Sequence, residues 1–272
     1  MEKSVFLHTL LLMKILKIIS QMISAILIIV YLMKLEGNVH FSIKELKIDK
    51  SSLREIVLIG LPAGIQNSLF AISNVTIQTA VNSFDSTAIV AGNSASNNIG
   101  GFIYTSMNAF YQSCITFTSQ NLGAKKLRNC KKVLINCLLC VMIVGIATGG
   151  FCVLFGNTLL NFYANGDEAI KYGLIRLTIV GLSYFLCGIV DVLVGGLRGL
   201  GYSIIPMITS IVGICGVRLI WVYTVFEKKH TLPVLYYSYP ISWAITAVVH
   251  LICYCVIYKK VLLQFKEKSL VN

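Results

Sequence analysis

The sequence predicts an all-α integral membrane protein with about seven transmembrane helices. Of its 272 residues, 56% are hydrophobic and only 12% are charged, whereas soluble domains carry about 25% charged residues. The charges gather in short stretches between apolar runs, which reach the roughly 20 residues needed to cross a bilayer. The ten-residue alternating segments typical of a membrane β-barrel do not occur, so each apolar run is expected to be a helix.

Seven apolar segments, A to G, are long enough to span the membrane. They cover residues 15–33, 56–84, 87–119, 133–155, 174–197, 204–226 and 240–258. Residues 38–55, between A and B, mix apolar and charged side chains and predict a cytoplasmic amphipathic linker on the membrane surface. Gly145 and Gly149 in D, like Gly195 and Gly199 in E, have the small-xxx-small spacing of close helix contacts.

Basic residues predict the orientation of the segments. The A–B connection carries five Lys or Arg residues, the B–C turn none and the C–D connection five. Apart from Arg218 inside segment F, 15 fall on one side and 7 on the other, with Arg176 counted among the 7. The positive-inside rule therefore places the A–B and C–D connections and the tail, residues 263–272, in the cytoplasm. The turn at Asp85 and the start of segment A are then external.

Other functional classes find little support. The formal net charge of +12 does not indicate nucleic-acid binding, because the basic residues lie at the ends of apolar segments. The nine cysteines lie almost entirely inside apolar runs and are interpreted as buried free thiols. Cys137 and Cys140 have a zinc or redox spacing, but no second pair or histidine lies nearby. We therefore expect no metal, no cofactor, no catalytic residues and no enzymatic activity.

Polar side chains follow one face of segments B and C. In B, Asn67, Asn74 and Gln78 fall within about 40° of one another, and the neighbouring Gln66 joins them as a candidate. The stripe in C consists of Ser94, Asn98, Gly101, Thr105, Asn108, Gln112, Thr116 and Ser119. Uncharged polar groups at lipid depth need water or a partner. Two full-length stripes therefore predict the lining of a water-accessible cavity, and hydrogen bonding between helices is the alternative.

Asp191 is the only acid deep inside an apolar segment. Tyr184 and Arg198 lie seven residues to either side, on nearly the same helix face. An ionisable residue at this depth is a functional candidate, so Asp191 and Tyr184 are expected to take part in ion coupling. A structural ion pair between Asp191 and Arg218 of segment F is the alternative.

Several motifs give the chain a resemblance to a known family. They are Ile-Gly-Leu-Pro-Ala-Gly-Ile-Gln-Asn at 59–67, Phe-Thr-Ser-Gln-Asn-Leu-Gly-Ala-Lys at 117–125, Gly-Leu-Arg-Gly-Leu-Gly-Tyr-Ser at 196–203, Arg-Leu-Ile-Trp at 218–221 and Ser-Trp at 242–243. In this order and spacing they resemble the second half of a multidrug and toxic compound extrusion (MATE) transporter. The resemblance covers roughly residues 18–262.

The resemblance implies a fold and a function. Family members have twelve helices in two six-helix lobes around a central cavity, and they export drugs and organic cations in exchange for H⁺ or Na⁺. Residues 1–37 resemble the sixth helix and residues 56–262 the six-helix C-terminal lobe. The implied partners are the lipid bilayer, small organic cations or drugs, and a missing N-terminal lobe or a second copy. The implied location is the cytoplasmic membrane of a bacterium.

The chain departs from the family pattern, and other functions compete. Related members often carry Glu just before the Gly-Phe pair of segment C, where this chain has Gly100. A flippase for lipid-linked sugars, from the same superfamily, is the alternative, although more cationic residues would be expected in its cavity. A seven-helix photosensor would need a lysine in the middle of segment G, and an intramembrane transferase would need clustered acids or histidines. The sequence supplies neither.

Overall fold

The computed structural model describes residues 2–35, 41–42, 44 and 47–271, and all regular structure within these ranges is helical. The chain divides into two compact units, Met1–Leu53 and Arg54–Asn272. The predicted linker, residues 38–55, lies partly outside the described residues. Its last residues, from Lys50 onwards, belong to a long helix instead.

The first unit contains one long apolar helix and the cap of the next. Helix α1 spans Glu2–Lys34, and its part from Ile15 is long and apolar enough to cross a membrane. Nearly all apolar side chains of that part are exposed. Asp49 caps the following helix, because its Oδ2 accepts hydrogen bonds from the Ser52 amide at 2.8 Å and the Ser51 hydroxyl at 2.6 Å.

In its described part, the second unit is a bundle of six helical rods. Rod one is α2 (Lys50–Asn82), rod two is α3 (Thr87–Gly123), and rod three is α4 (Leu127–Leu154), which the short α5 (Gly156–Asn161) follows. In rod four, α6 (Asp167–Arg176) leads through the π-helical segment Leu177–Gly181 into α7 (Leu182–Gly199). Rod five contains α8 (Ile204–Ser210), Ile211–Gly216, α9 (Val217–Trp221) and Val222–Phe226, and rod six is α10 (Leu232–Val271).

Six helical stretches in the described residues are long and apolar enough to span a membrane: the Ile15–Lys34 part of α1 and every rod except α3. With 37 residues, α3 is the longest rod but one, and it carries no charged residue. We attribute its lower hydropathy to the polar stripe along its length. The architecture is therefore an all-α membrane protein of six apolar spans plus α3, close to the predicted seven.

Short turns with defined caps connect the rods. The Ser86 hydroxyl accepts a hydrogen bond from the Ile89 amide at 3.4 Å and caps α3. After α7, the Tyr202 amide bonds the Leu197 carbonyl at 3.0 Å and the Gly201 amide bonds that of Arg198 at 2.9 Å. This is a Schellman cap, and Gly201 supplies the positive φ of 89° that it requires.

Helix α7 lies at the centre of the bundle, packed against α3, α4 and α10. Glycines permit this close packing, as the small-xxx-small spacing predicted. A Cβ on Gly195 would lie 2.9 Å from the Tyr111 carbonyl oxygen, and one on Gly199 would lie 2.6 Å from the Thr118 Cβ. On α4, Gly145 and Gly149 meet the rod of α7 in the same way. The predicted close contacts are confirmed.

Three π-helical segments interrupt rods four and five: Leu177–Gly181, Ile211–Gly216 and Val222–Phe226. Two of them adjoin buried arginines. Arg176 is the last residue of α6, immediately before the first segment, and Arg218 is the second residue of α9, between the other two. Such wide turns occur frequently at functional sites, so the surroundings of these two arginines are of particular interest.

Candidate functional site

The polar stripe of α3 forms an open surface of the bundle. All its members are exposed except Asn108, which is partly exposed. Among the described residues, none of the eight forms a hydrogen bond to another helix; Thr105 and Ser119 bond only carbonyls of their own helix. The buried Oδ1 of Asn108 has no partner. Within the described residues, the stripe therefore does not join α3 to another helix through hydrogen bonds.

The polar residues of α2 have three different surroundings. Asn67 and Asn74 are exposed. Gln78 is partly buried, and its Oε1 accepts a hydrogen bond of 3.0 Å from the Asn93 amide of α3. Gln66 is buried, and its Oε1 accepts one of 2.9 Å from Arg198 Nη2 of α7. Gln66 thus connects α2 to the bundle core, away from the exposed face that carries Asn67.

A polar cavity of about 540 Å³ opens within the bundle, between α2, α3 and rods four to six. Asn74 and Gln78 line it, and so do Tyr184 and Asp191. The other polar or aromatic lining residues are Phe70, Asn93, Asn97, Tyr104, Arg176, Arg218, Tyr239 and Trp243. The cavity therefore brings together part of the predicted B stripe and the predicted ion-coupling pair. Asn67, Asn98, Thr105, Asn108 and Gln112 lie outside its lining.

Two buried arginines lie in this cavity. Arg176 is 3% exposed, and its Nη1 and Nη2 donate to Ser96 Oγ at 3.4 Å and Asn97 Oδ1 at 3.0 Å. Arg218 is 5% exposed, and its Nε donates to Ser242 Oγ at 3.2 Å. Both lie over the aromatic ring of Tyr239, whose centroid is 5.7 Å from the Arg176 guanidinium carbon and 4.1 Å from that of Arg218. Both cations therefore rest on a neutral, aromatic support.

Asp191 lines the cavity without a direct partner. It forms no hydrogen bond or ion pair with any described residue, so the alternative of a direct Asp191–Arg218 ion pair is wrong for this structure. Arg198 donates instead to Tyr111 Oη at 2.7 Å and to Gln66. Tyr184 packs against Gly100, where a Cβ would lie 2.7 Å from the tyrosine hydroxyl. The hydroxyl thus occupies space that a larger side chain at position 100 would need.

Arg176 lines the cavity, although the sequence pattern does not predict it as a site residue. The count of basic residues placed this arginine on the D–E side of the membrane, and the structure buries it at the end of α6, which begins at Asp167. A signal was present: Arg176, Tyr184 and Asp191 are separated by eight and seven residues, about two helical turns each. The interruption of rod four by a π-helical segment concealed it.

A second depression differs in character. It encloses about 830 Å³ beside α3, α4 and α5, and Phe102, Ile103, Phe151 and Phe162 are among its lining residues. It has no charged lining residue among those described. Its apolar walls suit lipid or detergent tails, whereas the polar cavity can recognise charge. The polar cavity is therefore the better candidate site.

The chain matches the family model MatE over residues 62–224, which is more than half of its length. It is 24% identical over 248 residues to the probable multidrug resistance protein YoeA of Bacillus subtilis (strain 168), covering 89% of this chain and 53% of that protein. The chain thus spans about half the length of the curated relative that it matches.

Solved structures share the fold. The outward-facing structure of a multidrug resistance MATE family transporter aligns with a TM-score of 0.79 at 14% identity, covering 89% of this chain and 55% of that one. A MOP superfamily transporter from Pyrococcus furiosus gives 0.79 at 13% identity, with 88% and 54% covered. A mutant form of a Vibrio cholerae MATE transporter gives 0.71 at 19% identity, with 83% and 50% covered. The family match, together with the all-α bundle and its sequence motifs, shows that the chain belongs to the MATE family of membrane transporters.

Proposed function

We propose that this chain supplies the C-terminal lobe of a secondary antiporter that exports drugs or organic cations across the cytoplasmic membrane of a bacterium. Membership of the MATE family and similarity to a probable multidrug resistance protein support a role in export. Export is coupled to the inward movement of H⁺ or Na⁺. The chain itself performs no covalent chemistry.

The open polar stripe of α3 carries this proposal. Its side chains are exposed, apart from the partly exposed Asn108, and form no hydrogen bond to another helix in the described part of the chain. In hydrocarbon such groups would be costly, because they would lack water and partners. An aqueous passage between two lobes removes this cost, with Asn98, Thr105, Asn108 and Gln112 on its wall. On α2, Asn67 and Asn74 extend the same lining, and Gln78 joins it at the inner cavity.

The opposite wall comes from another lobe. Alternating access in transporters built from repeats requires one bundle to rock against the other around a shared site. The chain covers only about half of its relatives. We infer that a first-half chain, or a second copy of this one, faces the stripe in the working transporter.

Asp191 and Tyr184 are the proposed coupling residues. Asp191 is the one acid among the residues that line the inner cavity, and no described cation neutralises it directly. A carboxylate in this position attracts H⁺ or Na⁺. Tyr184 shares the cavity and offers a hydroxyl oxygen that is able to ligate Na⁺ or accept a proton.

The test is efflux of the fluorescent cation ethidium from cells. We expect the chain alone to give background efflux, and the chain with a matching first-half fragment to give efflux that depends on the H⁺ or Na⁺ gradient. Asp191→Asn should reduce this efflux at least about tenfold if the carboxylate carries the ion. Asp167→Asn, at the exposed start of α6, is the matched control and should leave efflux unchanged.

Strong gradient-dependent efflux by the chain alone would show that a first-half partner is unnecessary, and crosslinking would then reveal whether two copies assemble. Background efflux in the assembled pair, with both fragments present in the membrane, would contradict the proposed export function. Full activity of Asp191→Asn would remove Asp191 from the coupling role.

A further inference from the structure

The inner cavity carries a surplus of positive charge. Its described lining contains two arginines and one aspartate, and no histidine or lysine. The difference between two cations and one anion leaves one positive charge when all three are ionised. Burying an uncompensated charge away from water is costly, and at membrane depth an ionisable side chain is a functional candidate by default. One further negative charge in the cavity would therefore compensate the surplus.

Arg218 presents unused donors to this cavity. A guanidinium has five N–H donors, and the hydrogen bond to Ser242 is the one that Arg218 forms with a described side chain. The residue is 5% exposed. The two Nη atoms of Arg218 have no hydrogen-bond partner among the described residues and are not fully enclosed by protein. They therefore reach open space in the cavity. A buried cation with free, forked donors is suited to bind a carboxylate through both of its oxygens.

Neighbouring groups hold Arg218 in a fixed place. Its guanidinium carbon lies 4.1 Å from the centroid of the Tyr239 ring and 5.6 Å from that of Trp243. Arg176, which also lies over the Tyr239 ring, is fixed by Ser96 and Asn97. Stacked arginines lose little conformational freedom when they bind a planar anion. The site is therefore organised before any ligand enters.

We propose that Arg218, supported by Arg176, binds the carboxylate of a small aromatic substrate in the inner cavity. The single surplus charge fits a monoanion, and the rings of Tyr239 and Trp243 provide a surface for an aromatic body. The inference rests on the proposed export function and extends its substrates to aromatic drugs that carry a carboxylate. Asp191 shares the cavity and weakens the binding of an anion through its own charge.

The binding test uses tryptophan fluorescence of the full chain purified in detergent. The chain has two tryptophans, Trp221 and Trp243, so Trp221→Phe leaves Trp243 in the cavity as the sole reporter. We expect benzoate to change its fluorescence in a saturable way. Benzamide, which has a similar shape and no charge, should bind at least about tenfold more weakly because its interaction with the cation is weaker.

Three substitutions in the Trp221→Phe chain sharpen the test. Arg218→Gln should weaken benzoate binding at least about tenfold, and Asp191→Asn should strengthen it. Arg128→Gln is the matched control, because Arg128 lies in the first turn of α4 outside the cavity lining, and it should change nothing. If Arg218→Gln loses its helical circular dichroism, Arg218→Lys replaces it, since lysine keeps the charge but lacks the planar fork. Lysine should bind benzoate more weakly than arginine.

Equal affinities for benzoate and benzamide would overturn the proposal, and so would unchanged benzoate affinity in a folded Arg218 variant. Competition by chloride at the same concentration as benzoate would reduce the site to one for small inorganic anions and would also overturn it. These measurements involve no transport. Failure of ethidium efflux with intact benzoate binding would therefore reject the export function alone.

Discussion

The two faces of helix α3 use polar residues in opposite ways. On the packed face, Asn93 bonds Gln78 and Tyr236, and Ser96 bonds Arg176. On the stripe face, Asn98 and Gln112 are exposed and bond no other helix of the described chain. Residues of the same type thus hold a bundle together on one side and leave a wettable surface on the other. The polarity of a membrane helix does not reveal its role until the partners on each face are known.

The largest expected effect is a loss of stability, and it compares one glycine on each face of α3. On the packed face, a Cβ at Gly92 would collide with the carbonyl oxygen of Ala169 and lie 2.7 Å from the Gly173 nitrogen. Because both atoms belong to the α6 backbone, Gly92→Ala should destabilise the bundle by about 3 kcal/mol. Unfolding in mixed detergent micelles measures this change.

Gly101→Ala is the control on the stripe face of the same helix, where a Cβ would meet nothing within 4 Å. It should be neutral or slightly stabilising, because alanine favours a helix by about 1 kcal/mol over glycine. Equal losses of stability in the two variants would mean that the stripe face is also packed.

A smaller loss of stability is expected at one of two neighbouring residues on α2. Gln66→Leu removes a hydrogen bond to the buried Arg198, whose Nε already lacks a partner. The expected loss is about 2 kcal/mol, as for other hydrogen bonds to charged groups. The same unfolding measurement should show a change within about 0.5 kcal/mol for Asn67→Leu, because Asn67 is exposed. A larger loss in Asn67→Leu would reveal a packing role for the open face.

Water access sharpens the comparison without changing stability. In the assembled transporter without its native cysteines, Asn98→Cys, Asn108→Cys and Gln112→Cys should react with a hydrophilic thiol reagent. Ser96→Cys, on the packed face, should remain unreactive because Ser96 is buried. Complete protection at all three stripe positions would favour interhelical bonding to the other lobe over an aqueous passage.

The smallest expected effect is the pH dependence of the helix cap formed by Asp49, which precedes α2. Asp49 serves as a reference for the polar residues on both faces of α3. Hydrogen bonds from the Ser51 hydroxyl, and then from the Ser52 amide and hydroxyl, lower the pKa of Asp49 from 3.8 to about 2. A carboxylate with a lowered pKa contributes its cap fully above pH 3.8 and loses it as the pH falls through about 2.

Hydrogen exchange at the Ser52 amide, corrected for its intrinsic rate, should therefore show constant protection from neutral pH down to about pH 4. Asp49→Ala should lower this protection at all these pH values and leave the stripe residues as reactive as before. Loss of protection already near pH 5 in the unmodified chain would contradict the lowered pKa.

Helical periodicity predicted much of the fold and part of the site. The α3 stripe was found because exposure follows the 100° angle between residues, and the glycine contacts because they recur every four residues. Rod ends were less predictable, since hydropathy marks only the lipid-depth part of a helix. Segment G, for example, continues from Leu232 to Val271.

The cavity could not be predicted as a whole. Gln66 and Asn67 are adjacent and similar in type, yet one bonds Arg198 and the other is exposed. Which of the two points inward depends on where Arg198 of α7 lies beside α2, which no local pattern encodes. Arg218 was identified only as a possible partner of Asp191. Its free donors follow from the positions of Ser242, Tyr239 and Trp243 around it, which the sequence alone does not give.

The π-helical segment Leu177–Gly181 sets the rotational phase of rod four. In a regular α-helix, eight residues turn about 800°, so the second residue lies some 80° past the first after two full revolutions. The wider turns of the π segment reduce this excess, and Arg176 and Tyr184 line one cavity. Winding the same residues as a regular α-helix would rotate the two ends of the rod by roughly 100° against each other, whereas deleting one residue as well would bring them back nearly into phase. The segment thus acts as a one-residue insertion that keeps the arginine in phase with the aspartate.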